Sequence, residues 1–146
     1  MSRARSGKGE RGAVSVELVI LGPVLLLFVL AVFFAGRYAL TQQAVQAAAA
    51  EAARTASIAR SAGDASGAAT ASASASLANQ GVRCAAQSVT VDTSAFATSP
   101  GTPGLVTVTV SCQVDMTDLA FPGIPGNRTL EATMASPIDT YRSRQG

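Results

Sequence analysis

The sequence predicts an α+β protein: a long N-terminal transmembrane helix continuing into an extracytoplasmic helix, a second helix, and then a small three-stranded antiparallel sheet. Three observations carry this. Leu18 to Ala35 is an unbroken run of 18 residues without a charged or strongly polar side chain. The segment after it, GRYALTQQAVQAAAAEAARTASIAR, is rich in good helix formers and has no proline. Beyond Gly81 the apolar period falls to two, the signature of half-buried strands.

A helix over residues 13–35 spans roughly 34 Å, enough to cross a bilayer core of about 30 Å. The residues before it are basic. Arg3, Arg5, Lys8 and Arg11 against Glu10 give the first 12 residues a net charge of +3, which leaves 7 basic and 8 acidic residues in the rest. Residues 1–12 therefore read as a disordered basic cytoplasmic leader, and residues 36–146 as a small extracytoplasmic domain. The cell membrane is the expected location, with a single pass. A cleavable secretory signal fits poorly, because the apolar core is long and Phe33-Phe34-Ala35 and Arg37-Tyr38-Ala39 place bulky or charged residues where small ones are needed. Gly22-Pro23 interrupts the span, and the proline predicts a kink there.

Tyr38 and Arg37 suit the outer membrane interface. Ala48, Ala52 and Ala56 recur every four residues, as do Val45 and Ala49, in a stripe of small residues that lets another backbone approach closely. An alanine-rich helix packed on its own domain is the preferred reading, and a subunit contact is the other. Gly63 breaks the pattern. Asp64 or Ser66 then caps a second helix over 65–80, ending at Gly81; the Ala-Ser alternation also suits a flexible linker, and the helix is the preferred reading.

Val89 and Val91 mark the first strand. SAFATSPGTPG is a loop by its Pro and Gly content. Leu105 to Asp115 is the clearest strand, with Val106, Val108, Val110, Cys112 and Val114 on one face. Residues 116–126 read as a short helical turn and a tight loop. Leu130, Ala132 and Met134 alternate with Thr129, Glu131 and Thr133 in a third strand, and the end, SPIDTYRSRQG, reads as frayed. The sheet's apolar face needs a cover, and the part of the first helix beyond the membrane is the natural candidate.

Cys84 and Cys112 are the two cysteines. In a hairpin with Val91 opposite Val106 and Val89 opposite Val108, Ala85 falls opposite Cys112, so a diagonal contact or a bulge near residue 85 brings the sulfurs together. A non-cytoplasmic domain permits that bond. Two buried free thiols, or a bond to a partner protein, are the other readings.

Arg11-Gly12-Ala13-Val14-Ser15-Val16-Glu17 directly precedes the apolar run. A cut after Gly12 gives Ala13 a free amino group, and Glu17 lies one helical turn away on the same side. A carboxylate in the membrane is costly, and a positive amine, its own or a neighbour's, offsets that cost. The other reading, equally weighted, has Glu17 reaching the headgroups.

These residues, with Pro23 in the span, Gly36-Arg37-Tyr38 at its outer end and QQAVQAAAAEAARTAS beyond, resemble the TadE-like family, pilin-like (pseudopilin) proteins of the tight-adherence, Flp-type IVc pilus system. The resemblance is specific over residues 11–60. It implies a membrane-anchored minor pilin or pseudopilin used in pilus assembly or adhesion. It also implies partners among other pilin-like subunits and the assembly machinery, and a prepilin peptidase that cuts between Gly12 and Ala13. Glu17 stands at the position of the pilin acid. One departure is Leu18, where the class usually has an aromatic residue.

An enzyme is not expected. The chain has no histidine and its single lysine is in the leader. The acids are scattered, and there is no phosphate-binding loop or metal-ligand cluster. No cofactor, metal, small-molecule substrate or nucleic acid is expected. The alternative function is a single-span membrane-anchored binding protein or envelope-complex partner unrelated to pili. A secreted domain with a cut signal is a third reading. Asn127-Arg128-Thr129 matches a glycosylation acceptor, too short a motif to weigh.

Overall fold

The computed structural model describes residues 10–115 and 126–141, with side chains described from Leu18 onward. The element order is α1 (Glu10–Ser57), α2 (Ala62–Asn79), β1 (Ala86–Asp92), a 3-10 turn η1 (Ser94–Ala97), β2 (Leu105–Asp115) and β3 (Asn127–Pro137). The expected turn over 116–126 and the ends of both tails lie outside the described residues, apart from Gly126. The chain divides into two compact units, Met1–Arg37 and Tyr38–Gly146.

In the first unit α1 is helical from Glu10, so the backbone is already regular where a disordered leader is expected up to residue 12. A single Gly12 costs a helix about 1 kcal/mol, too little to set its start against the favourable residues after it. The helix runs on through Pro23.

The second unit is a two-layer sandwich of a helical hairpin on a sheet. The 48-residue α1 ends at Ser57, three residues short of Arg60. There the Ser57 hydroxyl donates to the Arg54 carbonyl at 2.8 Å. α2 starts earlier than expected, and Ser61 is its N-cap rather than Asp64 or Ser66: the Ser61 hydroxyl accepts the backbone N–H of Asp64 at 3.1 Å. Asp64 instead lies in the first turn, where its charge suits the helix dipole. At the far end Gly81 takes φ +69°. Its N–H donates to the Ala78 carbonyl, and that of Val82 to the Leu77 carbonyl, both at 3.0 Å. This paired closure of the last turn needs a left-handed residue, which glycine supplies at no steric cost.

The two helices run antiparallel. Thr55 Oγ1 donates to Ser72 Oγ at 3.2 Å near one end, and Gln80 Nε2 to the Ala44 carbonyl at 3.5 Å near the other. Ala48, Ala52 and Ala56 of α1 are fully buried, as are Ala65, Ala69 and Ala73 of α2. The four-residue spacing on both helices aligns these small side chains in ridges that let helices pack closely. The stripe is therefore consumed within the unit and is not a free surface.

The sheet has the order β1-β2-β3 and is antiparallel throughout. Val106, Val108, Val110 and Cys112 are fully buried, with Leu130 and Ala132 beside them on β3. The helical hairpin lies over this face. Gln42 Nε2 donates to the Glu131 carbonyl at 3.2 Å, the Ser136 hydroxyl to that of Ser57 at 3.1 Å, and Gln87 Nε2 to Ser74 Oγ at 3.0 Å. So α1 covers the β3 side and α2 the β1 side.

The register between β1 and β2 differs from the expected one by two residues. Val91 pairs with Val108, Val89 with Val110, and Gln87, not Ala85, with Cys112. A two-residue slip leaves every side chain on its own face, so alternation alone does not discriminate between the two. The loop decides. Thr93 to Gly104 is not featureless: η1 buries Ala95 and Phe96 against the core. Gly104 passes so close that a Cβ there would lie 2.8 Å from the Ala95 Cβ. The Asp92 carboxylate accepts the Ser94 N–H at 3.0 Å, and the Ser94 hydrogen bonds hold its carboxyl below the ordinary range. That contribution is present above the unfolded-state value and is lost as pH falls through the lower folded-state value.

The segment after β3 is not frayed where it is described. Ile138 is buried. Its N–H donates to the Gly104 carbonyl, and the Gly101 N–H donates to the Thr140 carbonyl, each at 2.9 Å. Residues 138–140 thus strap the β1–β2 loop.

Because the helices meet through alanine, added volume has nowhere to go. Ala69→Leu should lower the unfolding free energy by about 1–3 kcal/mol, whereas Ala71→Leu, at an exposed position of α2, should change it little. Denaturant unfolding of the detergent-solubilised protein checks both.

Candidate functional site

Two features stand apart from the packed core: the apolar face of α1 in the first unit, and the cysteine pair in the second.

In the first unit the apolar side chains have no cover. Leu18, Val19 and Ile20 are 72%, 72% and 66% exposed, and the pattern continues through Leu25, Phe28 and Phe33. The most apolar 18-residue stretch has a mean hydropathy of 3.0, and none of it is buried. It spans about 27 Å as a helix. Soluble monomers rarely expose a contiguous apolar patch of more than a few hundred Å². This helix is a candidate membrane span near the N-terminus, compatible with a single-pass membrane protein. Glu17 lies in the same helix one residue before the exposed run, and Gly12 and Ala13 lie in its opening turns. The side chains of these three residues are outside the described part.

Residues 12–54 match the family model of TadE-like proteins. Over this segment the chain is similar to TadE-like proteins. The match begins at the candidate processing residue Gly12, takes in the whole exposed apolar run and ends in the alanine face of α1. It covers less than a third of the chain. It points to a protein associated with the tight-adherence pilus system and its machinery. Neither the curated proteins nor the solved structures give a significant match.

In the second unit Cys84 and Cys112 are joined in a disulfide, with their Cα atoms 5.3 Å apart. Of the two expected routes, a diagonal contact or a bulge near residue 85, the register excludes the simple diagonal, and the ladder breaks at residues 85–86. Gln87 already occupies the ladder position beside Cys112. The chain leaves the ladder before Ala86, with the Ala85 N–H still donating to the Gln113 carbonyl at 2.7 Å. Cys84 lies just before this break, outside the ladder. The sequence signal for this was the turn closed by Gly81, which brings the chain back across the end of α2 and towards the sheet. Cys112 is fully buried and Cys84 half-buried.

Elsewhere an open groove between α1 and α2 is lined by Glu51, Ser72, Ser76, Asn79 and Gln80 with alanines. Among the described residues no group of three or more His, Cys, Asp or Glu is placed to hold a metal ion.

The disulfide ties residues 28 apart in sequence, and the enclosed loop holds β1, η1 and most of β2. Closing a loop of that size contributes about 3–4 kcal/mol by the chain-entropy argument. Reduction, or Cys84→Ala with Cys112→Ala, should lower stability by up to about that amount. Thermal unfolding with and without reductant measures it, after peptide mapping has confirmed the Cys84–Cys112 link in the untreated protein.

Proposed function

We propose that this chain is a minor pilin or pseudopilin of a tight-adherence pilus, anchored by α1 and used in pilus assembly or adhesion. The observation that carries the reading is the TadE-like match over residues 12–54, which coincides with an uncovered apolar helix. In this reading residues 13–35 cross the membrane. The basic leader stays in the cytoplasm, and the unit from Tyr38 onward lies outside. The role is structural, not catalytic.

The processing step belongs to the same proposal. A prepilin peptidase cuts between Gly12 and Ala13, and the new amine lies one turn from Glu17, its own or that of a neighbouring subunit. A carboxylate in that apolar setting is costly when alone and much less so when paired. The acid then favours association of subunits within the membrane and has no part in insertion. The partners are other pilin-like subunits and the assembly machinery.

Mass analysis of the membrane-extracted chain tests the processing step. A mature N-terminus at Ala13 is expected, with Gly12→Leu retaining the 12-residue leader. A start at Met1 or Ser2 in the wild type supports a plain anchor, and a start beyond residue 35 supports a secreted domain. Glu17→Ala should insert normally and fail to copurify with other pilus subunits, and full assembly by that variant would count against the acid's pairing role.

Orientation has its own readout. A reporter active only outside the cytoplasm, fused after Gly146, should be active. Activity from a cytoplasm-only reporter at the same place would reverse the topology.

A further inference from the structure

The two sulfurs of the disulfide are not equivalent, and the difference gives the bond a direction. Cys112 sits in the central strand β2, three residues from its end, with no exposed surface. Its neighbours in the ladder are Gln87 on one side and Leu130 on the other, and the helical hairpin lies over its face. Cys84 is half-buried and belongs to no helix or strand. It lies in the short connection between α2 and β1, flanked by the exposed Arg83 and Ala85. Two backbone contacts pin that connection: the Val82 N–H on the Leu77 carbonyl and the Ala85 N–H on the Gln113 carbonyl. No side chain of the core depends on where Arg83 points.

Thiol–disulfide exchange needs a thiolate to approach one sulfur in line with the bond that breaks, so access decides which sulfur is attacked. We propose that Cys84 is the exchange sulfur of this protein and Cys112 its buried resolving partner, and that the site takes a thiol–disulfide carrier presenting one reactive cysteine. On reduction, an external thiolate attacks the Cys84 sulfur. A mixed disulfide forms on Cys84, and Cys112 leaves as a thiolate that takes a proton. A second external thiolate then attacks the external sulfur of the mixed disulfide, releasing Cys84. Two external thiols are oxidised to a disulfide, and one protein disulfide is reduced to two thiols. Oxidation is the reverse: a carrier disulfide is attacked by the Cys84 thiolate, and Cys112 resolves the mixed disulfide from within the core. The Cα separation of 5.3 Å suits that last step without a shift of β2.

Which sulfur is attacked does not depend on compartment. That the carrier meets this site in the cell rests on the extracytoplasmic placement of the unit proposed above.

The test uses the full-length oxidised protein in detergent. It is exposed briefly to reduced glutathione, exchange is stopped with acid, and mixed disulfides are mapped by mass. Glutathione should sit on Cys84 in roughly tenfold or greater excess over Cys112, in keeping with the dependence of exchange on access. Equal labelling, or label mainly on Cys112, overturns the proposal. This measurement needs no variant, so a misfolded mutant cannot decide it. In the oxidising direction Cys112→Ala should take up glutathione from its disulfide without denaturant, and Cys84→Ala only once unfolded. Native labelling of both variants at one rate, with both shown folded by circular dichroism, also overturns it. In cells, Cys112→Ala should carry a reductant-sensitive protein adduct that Cys84→Ala lacks, and adducts on both would overturn it. Selective exchange at Cys84 in vitro, with wild-type protein wholly reduced in the cell, would sink the extracytoplasmic placement and leave the sulfur assignment standing.

Discussion

The folded unit rests on the burial of two alanine-rich helical faces over one sheet. Ala48, Ala52 and Ala56 on α1 meet a hairpin partner whose own buried positions are Ala65, Ala69 and Ala73. Alanine loses no side-chain entropy on burial, so the pairing is inexpensive to order. It also removes little apolar area from water, since area, not close approach, sets the hydrophobic gain. The valine face of β2 supplies the rest, buried beneath the helical hairpin.

A core of this kind is thin. Its largest fully buried side chains are leucines and valines, and Phe96 is its one buried aromatic among the described residues. The disulfide offsets that thinness by restricting the unfolded chain. It joins a fully buried cysteine of β2 to a half-buried one in the connection between α2 and β1.

The α1 helix carries two kinds of surface. Its first part carries large apolar side chains outward with nothing over them, and its last part carries alanines inward against protein. The change in side-chain size along one helix follows from the change in what covers it. The large exposed side chains are those of a candidate membrane span, whereas the buried positions facing protein are mostly alanine. The TadE-like segment straddles this change.

Residue pattern alone determined the elements whose burial is periodic. The face of β2 from Val106 to Val114 was readable from alternation, as was the apolar run of α1 from its length and the end of α2 from Gly81. These depend on local backbone geometry, which each residue feels through its neighbours in sequence. The register of β1, the N-cap at Ser61, the packed turn at Ala95 and Phe96, and the strap at Ile138 were decided by tertiary structure. A slip of two residues preserves every face, and either of two nearby polar residues makes an acceptable cap. A Pro- and Gly-rich loop has no period from which to read that one aromatic folds inward. Such choices depend on which arrangement fills the space under the helical hairpin and satisfies its backbone groups. That space exists only once the helices and strands have come together.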